Sequence, residues 1–192
     1  GNYGLSVAYN HAIKHLLEKS CEWIVLLDQD TLLSNDYISE LIKISESNDS
    51  EYLIYAPTVK SGNQTLSPRY FKKDKLQTTL NKDNNGLLAL INSGIVINKS
   101  VFETYGMYDE ELFLDMIDYD FLWNIYRKNK DIKIVMMNAE LSQSFSGSQI
   151  SKSDKKRFQN YKNDLRIYVK KNAIPKMVSN YIINKRALHL VI

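Results

Sequence analysis

The chain has 192 residues, of which 44% are hydrophobic and 24% are charged. This length and composition support one well-packed core and exclude two large domains. Because 25 basic residues face 22 acidic ones, the formal charge of +3 is too small to indicate a nucleic-acid partner. The single cysteine, Cys21, excludes a disulfide within the chain.

The start of the chain indicates an incomplete fold. It opens at Gly1 without Met and enters a helical pattern directly, with no strand before it. A central strand preceded by one helix only would leave an apolar edge uncovered, so we expect a fragment that lacks the first strands. Neither a secretory signal nor an apolar run long enough to cross a bilayer is present, which predicts a cytoplasmic location.

The first predicted elements are a helix and a strand. Apolar residues at spacings of three and four predict an amphipathic helix over residues 5–17. The apolar run at residues 23–27 contains no helix breaker and predicts a strand buried on both faces, as in the centre of a parallel sheet. This helix and strand indicate an α/β fold.

Two carboxylates, Asp28 and Asp30, follow this strand at once and point the same way if the chain stays extended. At the carboxyl end of a buried strand, such a pair predicts a site for a divalent metal and a diphosphate. The alternative is a strand-to-helix turn, where Asp is common. An EF-hand is excluded by Leu33 and Ser39, and an aspartyl phosphatase motif by Leu32 in place of Thr.

The middle of the chain predicts one helix, one strand and a long loop. Ser34 or Asn35 can cap a helix with apolar residues at helical spacing. A strand follows at residues 52–56 and is stopped by Pro57. The polar residues 59–85 predict a surface loop, and loops of that length are usually functional lids or disordered.

An apolar run at residues 87–97 is interrupted by Asn92, Ser93 and Gly94. Glycine within a strand pattern marks either a bulge or a place where a ligand or another backbone comes close. Ser100 then predicts the cap of a short helix that Gly106 ends.

A second acidic cluster opens the next predicted helix. Acids in a first helical turn complement the helix dipole, which is the structural explanation. However, the apolar residues around Asp115 and Asp118 would draw one of these carboxylates partly out of water and raise its pKa toward values that suit a general base. A strand is then expected at residues 132–137.

Residues 152–171 hold eight Lys or Arg and two Asp, with aromatic and apolar residues along one helical face. This pattern is typical of a helix that packs on a sheet with its basic side in solvent. It also suits a helix that lies on anionic lipid, and both interpretations can hold together.

Several segments together resemble family 2 glycosyltransferases of the GT-A fold, especially their rhamnosyltransferase branch, over residues 2–172. In chain order, the matching segments are Asn2-x-Gly4 with Ala8 and Asn10, Leu26-Leu27-Asp28-Gln29-Asp30-Thr31, Ser93-Gly94 and Phe113-x-Asp115-x-x-Asp118-x-Asp120. The resemblance implies an α/β fold with a mostly parallel, Rossmann-like sheet flanked by helices. Residues 1–150 would form a partial core, and residues 151–192 a helical segment packed on it.

The resemblance also implies an inverting enzyme that transfers a sugar, with rhamnose as the first expectation, in bacterial cell-surface polysaccharide synthesis. The donor would be a nucleoside diphosphate sugar, and the acceptor a saccharide or lipid-linked saccharide. In the family, the acid matching Asp118 is the catalytic base, and the acids matching Asp28 and Asp30 hold Mg²⁺ or Mn²⁺. The expected donor-binding residues are Asn2, Gly4, Asn10, Asp28, Asp30, Ser93 and Gly94.

Two residues depart from the family pattern. Asn124 stands where an Arg is usual, and Gln143 where a His is usual. Because Gln is a weak metal ligand beside neutral imidazole, the third protein ligand of the metal is in question. A non-catalytic subunit that binds saccharide or a partner through a degenerate transferase fold therefore stays open. In either case we expect a cytoplasmic protein with peripheral contact to the inner face of the membrane through the basic helix, and no nucleic-acid partner.

Overall fold

The structure, a computed structural model, describes residues 1–47, 51–72, 75–77, 87–143, 152–175, 177 and 180–184. The helices within these residues are α1 (Leu5–Leu17), α2 (Asn35–Glu46), α3 (Lys99–Tyr105), α4 (Ile117–Lys128) and α5 (Lys152–Lys171). The strands are β1 (Trp23–Val25), β2 (Thr31–Leu32), β3 (Ile54–Ser61), β4 (Gln64–Ser67), β5 (Arg69–Lys72), β6 (Lys75–Gln77), β7 (Leu87–Ala89), β8 (Val96–Asn98) and β9 (Ile134–Gln143).

Six strands form the main sheet of the described residues, in the order β1-β8-β3-β9-β2, with β4 paired to β3. Strands β3 and β9 pair in parallel, whereas β8 is antiparallel to both β1 and β3. The sheet is therefore mixed, with β1, β3 and β9 running in one direction. Its helices pack against it around a core that includes Ile13, Ile54 and Leu122. The predicted α/β class with flanking helices is confirmed.

Strand β1 is half-buried, so the prediction of burial on both faces is wrong. Ile24 and Leu26 are buried in the core, but Val25 and Leu27 are 37% and 43% exposed. In the described sheet, β1 pairs on one side only, with β8. Its other face opens on an apolar groove beside α2, which Trp23 and Val25 line together with residues of that helix.

Strand β3 runs through Pro57 to Ser61, so the prediction that Pro57 stops a strand is wrong. The parallel register with β9 shifts between Ala56 and Thr58, where Pro57 lies. Proline lacks an N–H, and a register shift is the place where a strand tolerates that loss.

The loop predicted over residues 59–85 is also wrong for its described part. After β3 the chain turns at Gly62, whose φ is 54°, and returns as β4. Strands β6, β5 and β7 then form a separate antiparallel sheet. Strand pairing is made by backbone groups and does not require apolar side chains, so the polar composition of this stretch did not predict its strands. Residues 73–74 and 78–86 lie outside the described residues.

The apolar run at residues 87–97 divides between the two sheets. Its first part is β7, and its last part enters β8, with the turn at residues 92–94 between them. The cap of α3 is Asn98 and not Ser100, because the Ser100 N–H donates to Asn98 Oδ1 at 3.0 Å. Gly106, with a φ of 93°, ends α3 as predicted.

Helices α4 and α5 lie where the sequence predicted them. Helix α4 begins at Ile117, after Met116 takes a left-handed φ of 65°. Helix α5 buries Tyr161, Leu165 and Tyr168, which follow the predicted apolar face. Among the helices of the described ranges, none combines the length and the apolar character needed to span a bilayer.

Candidate active site

Asp28 and Asp30 come together at the end of β1. The chain turns after Asp28, whose carbonyl accepts from the Thr31 N–H at 3.1 Å, and then enters β2. Strand β2 pairs antiparallel with the end of β9, so that Thr31 lies opposite Gln143. Gln143 Nε2 donates to Asp28 Oδ2 at 2.8 Å and to Asp30 Oδ1 at 3.3 Å. One amide nitrogen thus contacts both carboxylates, which face the same point because the chain turns here and not because it stays extended, as the prediction assumed.

This arrangement fits a hard divalent cation. Two carboxylate oxygens converge on a single donor, and a rotation of the Gln143 amide would present its Oε1 in place of Nε2. Mg²⁺ is commonly held by one or two carboxylates together with substrate phosphates, so this oxygen set is sufficient in kind. Within the described ranges, no group of three or more His, Cys, Asp or Glu residues gathers as a metal site.

Asp118 lies in the first turn of α4 and is partly buried. Burial raises the pKa of its carboxyl to about 7, and the charges of Asp115 and Asp28 act in the same direction. The N–H of Tyr119 donates to Asp118 Oδ1 at 2.9 Å and partly opposes this rise. A carboxylate with a pKa near neutrality can take a proton at physiological pH.

The neighbouring acids of the cluster are neutralised by α5. Arg157 forms an ion pair with Asp115. Asp120 is 1% exposed and pairs with Lys171 at 2.6 Å, and Lys171 also pairs with Asp109. No ion pair reaches Asp118 from the part of the chain that the structure describes. The three acids therefore separate into one available carboxylate and two that hold structure.

Tyr9 links the two acidic regions. Its hydroxyl lies 3.5 Å from Asp28 Oδ1. Burial raises the pKa of Tyr9, and the charges of Asp28 and then Asp118 raise it further. Because both carboxylates act on the same hydroxyl, we infer that Asp28 and Asp118 face one site. Sequence reasoning missed the role of Tyr9, because this residue falls at helical spacing among the apolar residues of α1.

The close approach that Gly4 permits is to a loop of the protein itself. Gly4 has a φ of 98°, and a Cβ at this position would lie 2.7 Å from the Phe113 carbonyl oxygen. The next N–H, of Leu5, donates to that oxygen at 2.6 Å. Asn2 Oδ1 accepts from the Gly4 N–H at 3.2 Å, which forms a turn ahead of α1. Donor binding by Asn2 and Gly4 stays a prediction.

Asn10 is 4% exposed, and both groups of its side-chain amide are engaged. Its Oδ1 accepts from the Tyr108 N–H at 3.0 Å, while Nδ2 donates to the Tyr108 carbonyl at 2.8 Å and to Glu110 at 2.9 Å. These bonds attach α1 to the segment after α3. The geometry favours a structural role for Asn10, and its contact with a donor is untested.

Ser93 and Gly94 lie beneath the end of β1. Ser93 is fully buried, and its hydroxyl is 2.6 Å from that of Thr31. Gly94 has a φ of 80°, its N–H donates to the Leu26 carbonyl at 2.8 Å, and an added Cβ would lie 2.8 Å from Pro57 Cγ. The turn therefore supports the segment between β1 and β2 that carries Asp28, and a direct contact with a donor stays a prediction.

Sequence reasoning also missed Asp164. It is 1% exposed and accepts hydrogen bonds from the backbone N–H groups of three consecutive residues, 113–115. A signal was present, because Asp164 falls between Tyr161 and Leu165 on the apolar face of α5. An acid in that position needs buried donors.

A family model described as "Glycosyl transferase family 2" matches residues 1–106, which is more than half of the chain. The chain belongs to glycosyl transferase family 2. This confirms the resemblance inferred from the sequence. The family match includes Asp28 and Asp30 but ends before Asp118.

A protein of Shigella flexneri named "dTDP-rhamnosyl transferase RfbF" is similar to this family 2 chain. The two are 28% identical over 191 residues, which covers 93% of this chain and 64% of the Shigella protein. The chain thus spans less than two thirds of the length of this relative. Unlike the family match, this similarity is long enough to include the Asp118 region.

Proposed function

We propose that the protein is an inverting glycosyltransferase that moves a sugar from a nucleoside diphosphate donor to a saccharide hydroxyl. Family membership and the Shigella relative support this proposal. The observation that carries it is that the charge of Asp118, whose pKa is raised to about 7, and the charge of Asp28 act on one hydroxyl, that of Tyr9, which lies 3.5 Å from Asp28 Oδ1. A proton acceptor and a diphosphate site side by side are what direct glycosyl transfer requires.

In the proposed reaction, Asp118 takes the proton of the acceptor hydroxyl. The acceptor oxygen attacks the anomeric carbon of the donor at the same time. A carbon–oxygen bond forms on one face of the sugar, and the bond to the diphosphate breaks on the other. A single displacement of this kind inverts the anomeric configuration. Tyr9, whose raised pKa keeps its hydroxyl protonated, can hold Asp28 in place.

A divalent cation is part of this proposal. Asp28 and Asp30 would hold Mg²⁺ or Mn²⁺, and Gln143 would add its Oε1 after a rotation of its amide. When bound, the cation would offset the charge that grows on the departing diphosphate. The convergence of both carboxylates on one donor supports this assignment.

The printed name of the relative makes deoxythymidine diphosphate rhamnose the first donor to test. The protein is to be incubated with this donor, with uridine diphosphate glucose and with guanosine diphosphate mannose, each with saccharide acceptors and Mg²⁺ or Mn²⁺. We expect transfer from one donor. The NMR signal of the anomeric proton should show that the product has the inverted anomeric configuration. Retention of configuration, or saccharide binding without consumption of any donor, would contradict the proposal. The second result would favour a non-catalytic saccharide-binding subunit, for which the replacement of a usual His by Gln143 is the motivating observation.

We further propose that the acceptor is a saccharide or lipid-linked saccharide of cell-surface polysaccharide synthesis in bacteria, reached at the inner face of the membrane. Helix α5 supports membrane contact, because Lys155, Arg166 and Lys170 are exposed on it. Sedimentation with vesicles tests this. Binding to anionic vesicles that disappears with neutral ones is expected, and equal binding to both would contradict the electrostatic basis.

A further inference from the structure

Helix α5 extends one carboxylate to the loop that leads to Asp118. Asp164 Oδ1 accepts from the Phe113 N–H at 2.8 Å, and its Oδ2 accepts from the N–H groups of Leu114 at 2.9 Å and Asp115 at 2.8 Å. Asp164 is 1% exposed. One carboxylate therefore satisfies three consecutive backbone donors, and water takes little part in holding it.

The same loop is held from the opposite side by the start of α1. The Phe113 carbonyl accepts from the Leu5 N–H at 2.6 Å, and the Ser6 hydroxyl donates to the Leu112 carbonyl. Gly4 lies so close to Phe113 that a Cβ would not fit. We call residues 112–115 the clamped loop, because its carbonyl groups bind α1 while its N–H groups bind α5.

The clamped loop determines where Asp118 lies. It is followed directly by Met116, in a left-handed conformation with a φ of 65°, and by the first turn of α4. Only a few backbone torsions separate the last clamped residue from Asp118. A shift of the loop would therefore move the carboxylate relative to Tyr9 and Asp28.

We propose that Asp164 is a positioning residue, which fixes the clamped loop and thereby sets the place of Asp118 for proton transfer. This inference rests on the proposed function. A carboxylate is needed because it offers two oxygens and no donor. In Asp164→Asn, the amide NH₂ would face one or two backbone N–H groups and leave them unpaired.

Attachment of α5 does not depend on Asp164 alone. Lys171 pairs with Asp109 and Asp120, and Tyr161 and Leu165 are buried between the helix and its neighbours. Loss of the Asp164 carboxylate should therefore free the three backbone N–H groups and loosen the loop, which Arg157 still contacts through Asp115, while α5 stays in place. This separates a positioning role from a general role in folding.

The experiment compares Asp164→Asn with Asp164→Glu and with the control Asn163→Ala, whose side chain is exposed on the same helix. NMR hydrogen exchange of the amides of residues 113–115 is measured first. We expect about tenfold faster exchange in Asp164→Asn, less in Asp164→Glu and no change in Asn163→Ala. Unchanged exchange in Asp164→Asn would overturn the clamp.

The second measurement follows the Asp118 carboxyl by ¹³C NMR against pH, which needs no substrate. A displaced loop admits water, so the midpoint of Asp118 should fall from about 7 in Asp164→Asn and fall by less in Asp164→Glu. An unchanged midpoint would show that Asp164 does not position Asp118. If Asp164→Asn does not fold, Asp164→Glu must still show a smaller shift of the same sign in both readouts, or the proposal fails.

Transfer kinetics complete the test. We expect kcat to fall about a hundredfold in Asp164→Asn, with the KM for donor within about twofold, because misplacement affects the reacting geometry more than donor binding. An equal loss in donor binding would contradict a positioning role. If the unmodified protein transfers no sugar, the proposed function fails, whereas the exchange and NMR titration still decide the role of Asp164.

Discussion

The two acidic regions of the site use the same residue type under opposite conditions. Asp28 and Asp30 are at least partly open to solvent and share a neutral amide donor, Gln143. Asp118 is partly buried, and its charged neighbours Asp115 and Asp120 are paired with α5. The second environment holds a carboxyl near its titration point. The two proposed roles, cation ligand and general base, therefore rest on environment and not on residue identity.

The largest expected effect is that of Asp118→Asn. The amide keeps the size of the side chain but removes its basicity, so transfer should fall at least about a thousandfold. Donor binding by calorimetry should stay nearly intact. Asp131→Asn, an exposed acid outside the site, serves as the control and should retain full activity. Transfer within about tenfold of the unmodified protein would make Asp115 or Asp120 the next residue to test.

The variant Asp30→Ala should act on the acidic pair that follows β1. Loss of one carboxylate should weaken the Mg²⁺- or Mn²⁺-dependent binding of a nucleoside diphosphate by about 10–100-fold. Calorimetric titrations with and without the metal measure this, with Asp36→Ala as the exposed control. A metal dependence that matches the unmodified protein would move the cation site away from the strand end.

Changes at Gln143 sharpen the assignment of that site. In Gln143→Glu a third carboxylate joins Asp28 and Asp30, which should tighten Mn²⁺ binding by about tenfold. In Gln143→Ala the donor to both carboxylates is lost, and binding should weaken by a few fold. Mn²⁺ titration followed by electron paramagnetic resonance compares the three proteins without any activity measurement. Equal affinity in all three would exclude Gln143 from the site.

The smallest effect concerns stability against pH. The pKa of Asp118 is about 7 in the folded protein, above the usual value of 3.8, so folding favours its protonated form. Its ionisation therefore costs stability, and the cost grows from about pH 4 to pH 7 and stays above pH 7. Asp118→Asn should raise Tm by about 2–4 °C at pH 8 and by less at pH 4. A Tm gain that is equal at both pH values would mean that Asp118 is not desolvated.

The helices could be predicted wherever apolar residues recur at a regular helical spacing. The repeats in α1, α2 and α5 predicted these helices, and alternate apolar and polar faces placed Tyr161 and Leu165 inside. The exposure of Val25 did not follow, because it depends on which strands lie beside β1. The strand residues after Pro57 could not be predicted from apolar patterns, because backbone groups make the strand pairing.

The candidate site was only partly predictable. The spacing of Asp28 and Asp30 predicted that both carboxylates point the same way, but they do so through a turn after Asp28 and not along an extended chain. Spacing alone could not choose among the acids of the second cluster. The choice depends on Arg157 and Lys171, which lie far along the chain and neutralise two of them. Family resemblance selected Asp118 without giving this physical reason.

The clamped loop has a consequence for the order of folding. Its contacts join residues that are 106 positions apart at Ser6 and Leu112, and 51 apart at Phe113 and Asp164. Contacts of such separation form late, because closing long loops costs entropy before the contacts stabilise them. During synthesis the backbone donors of residues 113–115 cannot exchange water for the Asp164 carboxylate until Asp164 has emerged. We therefore expect the surroundings of Asp118 to be assembled after the local helices have formed.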